Sequence, residues 1–267
     1  MNGFDKIKIP DVKHIIAVAS GKGGVGKSTV SVNLAVTLAR QGYKVGMVDA
    51  DIYGPSIPKM MGIENEKPVV LQLDGKETFY PIEKYGMKVI SIGFFLQKDQ
   101  GLIWRGPLAA NAIIQLFENT QWGELDYLIA DFPPGTGDIQ LTIMQKLNLS
   151  GAIIVTTPQE VALNDARRAI SMFGNKDLSV PIMGVVENMS WFVPKQHPEE
   201  KYHIFGKGGG NTLAMEFNTA LLAQIPLVAE VGEAAEQGLS VYDTSDIAVI
   251  EAFEKISEGV IYKTTTQ

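Results

Sequence analysis

The sequence predicts a three-layer α/β fold: a mostly parallel sheet with helices on both faces. Three observations predict it. Short apolar runs rich in β-branched residues alternate along the chain with stretches whose apolar residues recur at helical spacing. Between the first such strand and the first such helix lies Gly21-Lys22-Gly23-Gly24-Val25-Gly26-Lys27-Ser28-Thr29, a glycine run carrying two lysines. Two further apolar runs stop on aspartates, Asp49 and Asp131, and in an open parallel sheet such strand ends face a common crevice.

The elements follow in order. Residues 14–19 are a buried strand, and residues 28–40 a helix with Val32, Leu34, Ala35 and Leu38 on its inner side. Residues 44–49 are the next strand. The stretch 60–88 is the least regular, with a hairpin of residues 69–73 and 78–82 around the Asp74-Gly75 turn signal. Strands are then expected at 89–93, 126–131, 152–157, 182–187 and 222–225, and helices at 107–119, 139–147, 158–173, 212–217 and 247–256. Near-continuous apolar strands separated by helices are the mark of a sheet buried on both sides. A length of 267 residues with 45% hydrophobic content fits one α/β domain over residues 1–267. No linker, repeat or low-complexity tract interrupts it, and only residues 1–12 and 260–267 look loosely held.

The glycine run meets the Walker A spacing G-x-x-x-x-G-K-[ST] through Gly21, Gly26, Lys27 and Ser28. Its backbone N–H groups must curl around phosphate oxygens, which a Cβ at Gly23, Gly24 or Gly26 would block. The helix N-terminus adds partial positive charge, Lys27 reaches the β- and γ-phosphates, Ser28 offers its hydroxyl to Mg²⁺, and Thr29 is placed for the α-phosphate. ATP and Mg²⁺ are the expected ligands. A hard cation takes oxygen ligands, so Asp131 reads as the Walker B carboxylate, Asp49 as support for the metal shell, and Asp51 as the group that orients the attacking water. Pro133-Pro134-Gly135-Thr136-Gly137 follows Asp131 as a segment able to respond to the γ-phosphate. A second glycine run, residues 206–210, lacks the Gly-Lys-Ser ending and reads as a loop opening a helix.

With Ala19–Thr29, Asp49-Ala50-Asp51-Ile52-Tyr53-Gly54-Pro55-Ser56, Trp104-Arg105-Gly106-Pro107, Asp131–Asp138, Thr156-Thr157-Pro158-Gln159, Glu187-Asn188-Met189-Ser190 and Ile204–Gly209 assembled, the chain resembles the deviant Walker A P-loop ATPases that include MinD, ParA and the nitrogenase iron protein. Within them it is most similar to the Mrp (ApbC) branch of iron-sulfur cluster carriers, over residues 12–241. The resemblance implies an ATP-hydrolysing homodimeric switch that serves iron-sulfur cluster assembly or transfer, with apoprotein clients or scaffold proteins as partners. It implies that Lys22 reaches the partner's nucleotide, that Asn188 recognises adenine and that Pro226 lies beside the base. The departure is in the stretch 191–203. Many Mrp-like carriers have a Cys-x-x-Cys there, whereas this chain has no cysteine at all. Fe–S clusters are normally held by Cys thiolates, so cluster binding in the familiar way is excluded for this chain alone. His197 and His203 read as solvated loop residues, and Trp191 and Phe192 as an apolar flap for the dimer or a client.

A formal net charge of −7 argues against a general nucleic-acid surface. No stretch is long enough to span a bilayer, the N-terminus lacks a secretory pattern, and Glu251, Glu254 and Glu258 make the last helix acidic rather than membrane-binding. Cytoplasmic ATP chemistry is the resulting expectation. Two alternatives stand beside the cluster carrier. One is a MinD- or ParA-like positioning ATPase, which needs a basic face or amphipathic tail that the sequence does not display; the other is a scaffold that binds ATP without turnover.

Overall fold

The computed structural model describes residues 6–73, 75–96, 106–244 and 246–266. The first half contains β1 (Val12–Ala19), α1 (Lys27–Arg40), β2 (Val45–Asp49), the single-turn α2 (Ile57–Met60), β3 (Val69–Leu73), β4 (Lys76–Tyr80), β5 (Ile82–Lys84), β6 (Met87–Ser91), α3 (Gly106–Glu118) and β7 (Leu125–Asp131). The second contains α4 (Asp138–Lys146), β8 (Gly151–Thr156), α5 (Glu160–Phe173), β9 (Ile182–Glu187), α6 (Gly209–Glu216), β10 (Leu221–Gln224), α7 (Ala229–Glu236) and α8 (Ile247–Thr265). Eight strands form one sheet in the order β10-β9-β8-β1-β7-β2-β6-β5. The pairings are parallel except that of β5 with β6.

β1 is central because its side chains are apolar on both faces. Ile15, Ala17 and Ala19 pack in one core with residues of α3, α4 and α5, while Ile16 and Val18 pack in the other with α1 and α8, the period-2 alternation of a strand. The helical layers follow from the same rule: α1 buries Val30, Val32, Leu34, Ala35 and Leu38, and α5 buries Ala162, Leu163, Ala166, Ala169, Ile170 and Phe173 at helical spacing. Gly46 lets β2 pass under its neighbours, since a Cβ there would fall 2.6 Å from Leu125 Cδ1. The chain runs outward from β1 to β2 and β6, then returns through β7 to β8 on the opposite flank of β1. That reversal opens a crevice at the carboxyl ends of the central strands.

The hairpin is present, with Leu73 opposite Lys76 in a separate two-stranded sheet. Both ends expected to be loose are packed within the described residues. Ile9 is buried, and the Ile7 N–H donates to the Lys146 carbonyl at 2.7 Å. α8 runs nine residues past its expected end at Ile256 because Val260 and Thr264 continue its buried stripe. The Thr264 hydroxyl lies 3.0 Å from that of Tyr127. Three elements have no counterpart in the expectation: α2, β5 and α7. α7 buries only Ala234, so its sequence carries no apolar period to read. Trp104 and Arg105 lie outside the described residues.

Candidate nucleotide site

The phosphate loop leaves β1 and enters α1 through two glycines in the left-handed region, Gly24 (φ 82°) and Gly26 (φ 83°), a conformation that costs other residues about 1–2 kcal/mol. Close approach matters equally. A Cβ on Gly21 would fall 2.1 Å from the Asp165 carbonyl carbon, and one on Gly26 would fall 2.1 Å from Asn188 Nδ2. Gly23 and Gly24 instead face open space and line a cavity of about 270 Å³ together with Ser20, Gly26, Lys27, Ser28, Thr29 and Asp51. Gly54, Ser56, Met60 and Pro134 complete its wall. Lys22, half-buried, lies in the loop but does not line this cavity; its carbonyl accepts from the Ser20 hydroxyl at 2.8 Å.

The three aspartates converge as their strand ends require. Asp49 and Asp131 are register partners across β2 and β7. Asp131 Oδ2 accepts from the Ser28 hydroxyl at 2.7 Å and pairs with the Lys27 ammonium at 2.8 Å, while its Oδ1 accepts from the Ser31 hydroxyl at 2.6 Å. Asp51 Oδ2 lies 3.4 Å from the same ammonium, and its Oδ1 is buried with no hydrogen-bond partner among the described residues. Asp49 is engaged on both oxygens: Oδ2 accepts from the Ser91 hydroxyl at 2.8 Å and the Ile57 N–H at 3.3 Å, and Oδ1 accepts from the Asp51 N–H at 3.2 Å.

Burial and crowding set the charge states. Burial pushes the Asp49 carboxyl up to about 8, with Asp131 beside it adding to the rise and Ser91 opposing it. Asp51 is raised in the same direction, by burial first and against the pull of Lys27. For Lys27, burial lowers the ammonium's proton affinity, but Asp131 and then Asp51 more than compensate, and the net shift is upward. One cation thus sits between carboxylates that would otherwise repel, beside a hydroxyl and an unpartnered carboxylate oxygen. The Ser28 hydroxyl and the Asp131 carboxylate offer oxygen donors that fit a hard divalent cation, and the unpartnered Asp51 oxygen beside them is left for a water.

The Pro133–Gly137 loop is tied to both ends of the site. The Gly135 N–H donates to the Ser20 carbonyl at 2.9 Å. Gln140 Nε2 donates to the Pro133 and Pro134 carbonyls at 3.2 and 2.6 Å, and its Oε1 accepts from the Gly137 N–H at 2.9 Å. A second cavity, about 170 Å³, shares Gly26 and Thr29 with the first and is otherwise lined by Asn188, Met189, Ile225, Pro226 and the apolar residues of the 227–235 segment and α8. Asn188 Nδ2 donates to the Val25 carbonyl at 2.9 Å. A polar cavity under the glycines thus adjoins an apolar one beside Asn188 and Pro226.

The model of the NUBPL iron-transfer P-loop NTPase family, a ParA-type family, matches residues 11–261. The chain belongs to this family. The iron-sulfur cluster carrier protein of Aquifex aeolicus is 47% identical over 257 residues, covering 96% of this chain and 69% of that protein. Among solved structures, the nucleotide-binding protein of Archaeoglobus fulgidus in complex with ADP is 38% identical, with a TM-score of 0.77 over 92% of this chain and 93% of that one. The cell division ATPase MinD of Pyrococcus furiosus, 22% identical with a TM-score of 0.67 over 94% of this chain and 99% of that one, shares the fold.

Sequence reasoning missed Ser31 and Gln140, which hold Asp131 and the Pro133–Gly137 loop. The signal for Ser31 was available: three residues after Ser28 in a helix, it shares a face with it. Gln140 stands three residues after Gly137, the spacing at which a helix's third residue reaches back to its N-cap, but its bonds to the Pro133 and Pro134 carbonyls depend on the folded loop. In the 191–203 stretch, His197, Glu199 and Glu200 place ligand atoms within 4.8 Å of one another but are all exposed. His203 is directed elsewhere, its Nδ1 lying 3.0 Å from the Ser190 carbonyl. Trp191 and Phe192 are half-buried, and Phe192 bridges to Tyr202.

Proposed function

We propose that the chain is an ATP-hydrolysing homodimeric switch acting in iron-sulfur cluster delivery, with cluster ligands supplied by its partners rather than by this chain. The observation that carries the ATP chemistry is the buried, unpartnered Asp51 Oδ1 at the wall of a glycine-lined cavity. The delivery role rests on the family and on cluster carriers nearly half identical to this chain. Cytoplasmic ATP is its source of free energy, and none of the described helices is long and apolar enough to cross a membrane.

In this reading the glycine N–H groups and Lys27 hold the β- and γ-phosphates, and Thr29 holds the α-phosphate. Gly21 and Val25 shape the loop: Gly21 by its contact with α5, Val25 by its carbonyl on Asn188. The base lies in the apolar cavity between Asn188 and Pro226. Ser28 and Asp131 would hold Mg²⁺, which offsets charge on the transferring phosphoryl group. Asp49 acts on that shell through the loop it anchors at Asp51 and Ile57. Asp51 orients the attacking water, its free oxygen accepting a proton from it. Lys22, outside its own chain's cavity, supplies charge to the nucleotide of a facing chain, which makes hydrolysis report dimer closure.

The test is transfer. A cluster-loaded scaffold protein, an apoferredoxin and this chain are mixed anaerobically, and cluster arrival is followed by visible absorbance with and without MgATP. ATP-dependent acceleration that disappears with Lys27→Ala is expected. Transfer at the same rate without the chain would remove the delivery role while leaving ATP turnover to be judged separately.

A further inference from the structure

Met189 is held in a backbone conformation that suits glycine. Its φ is 54°, in the left-handed region where a Cβ crowds the following carbonyl oxygen and which long apolar residues rarely enter. Of the five described non-glycine residues with such a φ, Asp11, Tyr85, Ser179, Met189 and Asn218, Met189 alone lines either nucleotide cavity. The turn around it is clamped on both sides. The Asn188 N–H donates to the Thr156 carbonyl at 2.8 Å, the Ser190 N–H to the Ile225 carbonyl at 2.9 Å, and the Ser190 hydroxyl to the Glu187 carbonyl at 2.8 Å. Glu187 is itself fully buried, accepting from the Gly210 N–H and from Gln224 Nε2, each at 2.6 Å. Strained backbone persists only where its surroundings impose it, and it gathers at ligand sites.

What the strain positions is the side chain. Met189 Cε lies 3.9 Å from where a Cβ on Gly26 would stand, and Gly26 belongs to both the phosphate cavity and the apolar one. The thioether therefore reaches the junction of the two cavities, where it stays half-buried. We propose that Met189 is a base-binding residue: its thioether packs against the bound purine ring where the base meets the sugar, and the clamped turn holds it there. The proposal rests on the ATP-binding reading above. An unbranched, polarisable thioether suits this contact, since it adapts to the ring and sulfur–aromatic contacts are favourable. Glycine at this position would relax the backbone and leave the base without that contact, so stability and base affinity are set against each other at one residue.

The test separates the base from the phosphates. Wild type and Met189→Gly are each titrated with MgATP and with magnesium triphosphate, which fills the glycine loop but carries no base, and each is unfolded in urea. For Met189→Gly the dissociation constant for ATP should rise about tenfold, while that for triphosphate stays as in the wild type. Its urea midpoint should equal or exceed the wild type's, because the left-handed strain is gone. Met189→Leu, which keeps the bulk, should recover most of the ATP affinity. Equal losses for ATP and triphosphate would mean that Met189 only shapes the phosphate loop, and an unchanged ATP affinity would mean that it does not touch the base; either result overturns the proposal, as does a lowered urea midpoint. A wild-type chain that binds triphosphate as tightly as ATP, or binds neither, would overturn the nucleotide reading itself and this proposal with it.

Discussion

Asn188 is keyed into the phosphate loop at Gly26: its Nδ2 donates to the Val25 carbonyl at 2.9 Å, and a Cβ on Gly26 would lie 2.1 Å from that nitrogen. The tip of β9 and the start of α1 are therefore one unit, joining the apolar cavity to the phosphate cavity. Gly26→Ala should abolish nucleotide binding, because it adds left-handed strain of about 1–2 kcal/mol and displaces Asn188. Asn188→Ala should weaken it less, by the about 0.5–1.5 kcal/mol of one hydrogen bond. Titration with a fluorescent ATP analogue checks both, and equal losses would refute this ranking.

The two loop lysines should part company. Lys27→Ala removes the cation between Asp131 and Asp51 and is expected to eliminate ATP binding. Lys22→Ala should bind ATP normally yet lose turnover by about 10²-fold or more, by analogy with an arginine finger. Calorimetry for binding and phosphate release for turnover distinguish them; normal hydrolysis by Lys22→Ala would refute the cross-chain role.

Asp51→Asn should hold the ATP-bound dimer, because the amide keeps the shape but cannot take a proton from water. A kcat lower by about 10²–10⁴ is expected, with light scattering reporting a persistent dimer in ATP. Rapid turnover would move that task to another group.

His14 should mark the acid side of the stability profile. Half-buried and stacked 5.6 Å from the Tyr127 ring, it is held below its ordinary 6.5 by burial and then by Lys13. The unfolded chain therefore binds the proton first, and stability falls as pH drops below about 6.5, the loss being complete beneath the depressed folded value. Urea midpoints at pH 7 and pH 5 should differ more for the wild type than for His14→Gln.

Val260→Ala should cost about 1–3 kcal/mol, since this side chain is fully buried against the second core. A urea midpoint unchanged in this variant would mean that the last turns of α8 carry no stability.

Legibility followed the range of the forces involved. The fold class, the alternation of strands and helices, the hairpin at Asp74-Gly75 and the glycine loop were readable because periodicity and turn chemistry are local in sequence. The same holds for Asp49, Asp51 and Asp131, which stand at the ends of apolar runs. α7 was not readable, having one buried residue, and the packing of residues 6–12 depends on Lys146, far along the chain.

What the sequence alone determined is the chemistry on offer: a phosphate loop with two lysines, carboxylates at strand ends, and no thiolate for a cluster. Only tertiary structure decided how that chemistry is shared out. Asp131 takes Ser28, Ser31 and Lys27, Asp49 spends both oxygens on the backbone and Ser91, and Asp51 keeps one oxygen unspent. The reason is that sheet order and register bring together residues a hundred positions apart, and burial then forces each polar atom to find a partner or stand ready for a ligand.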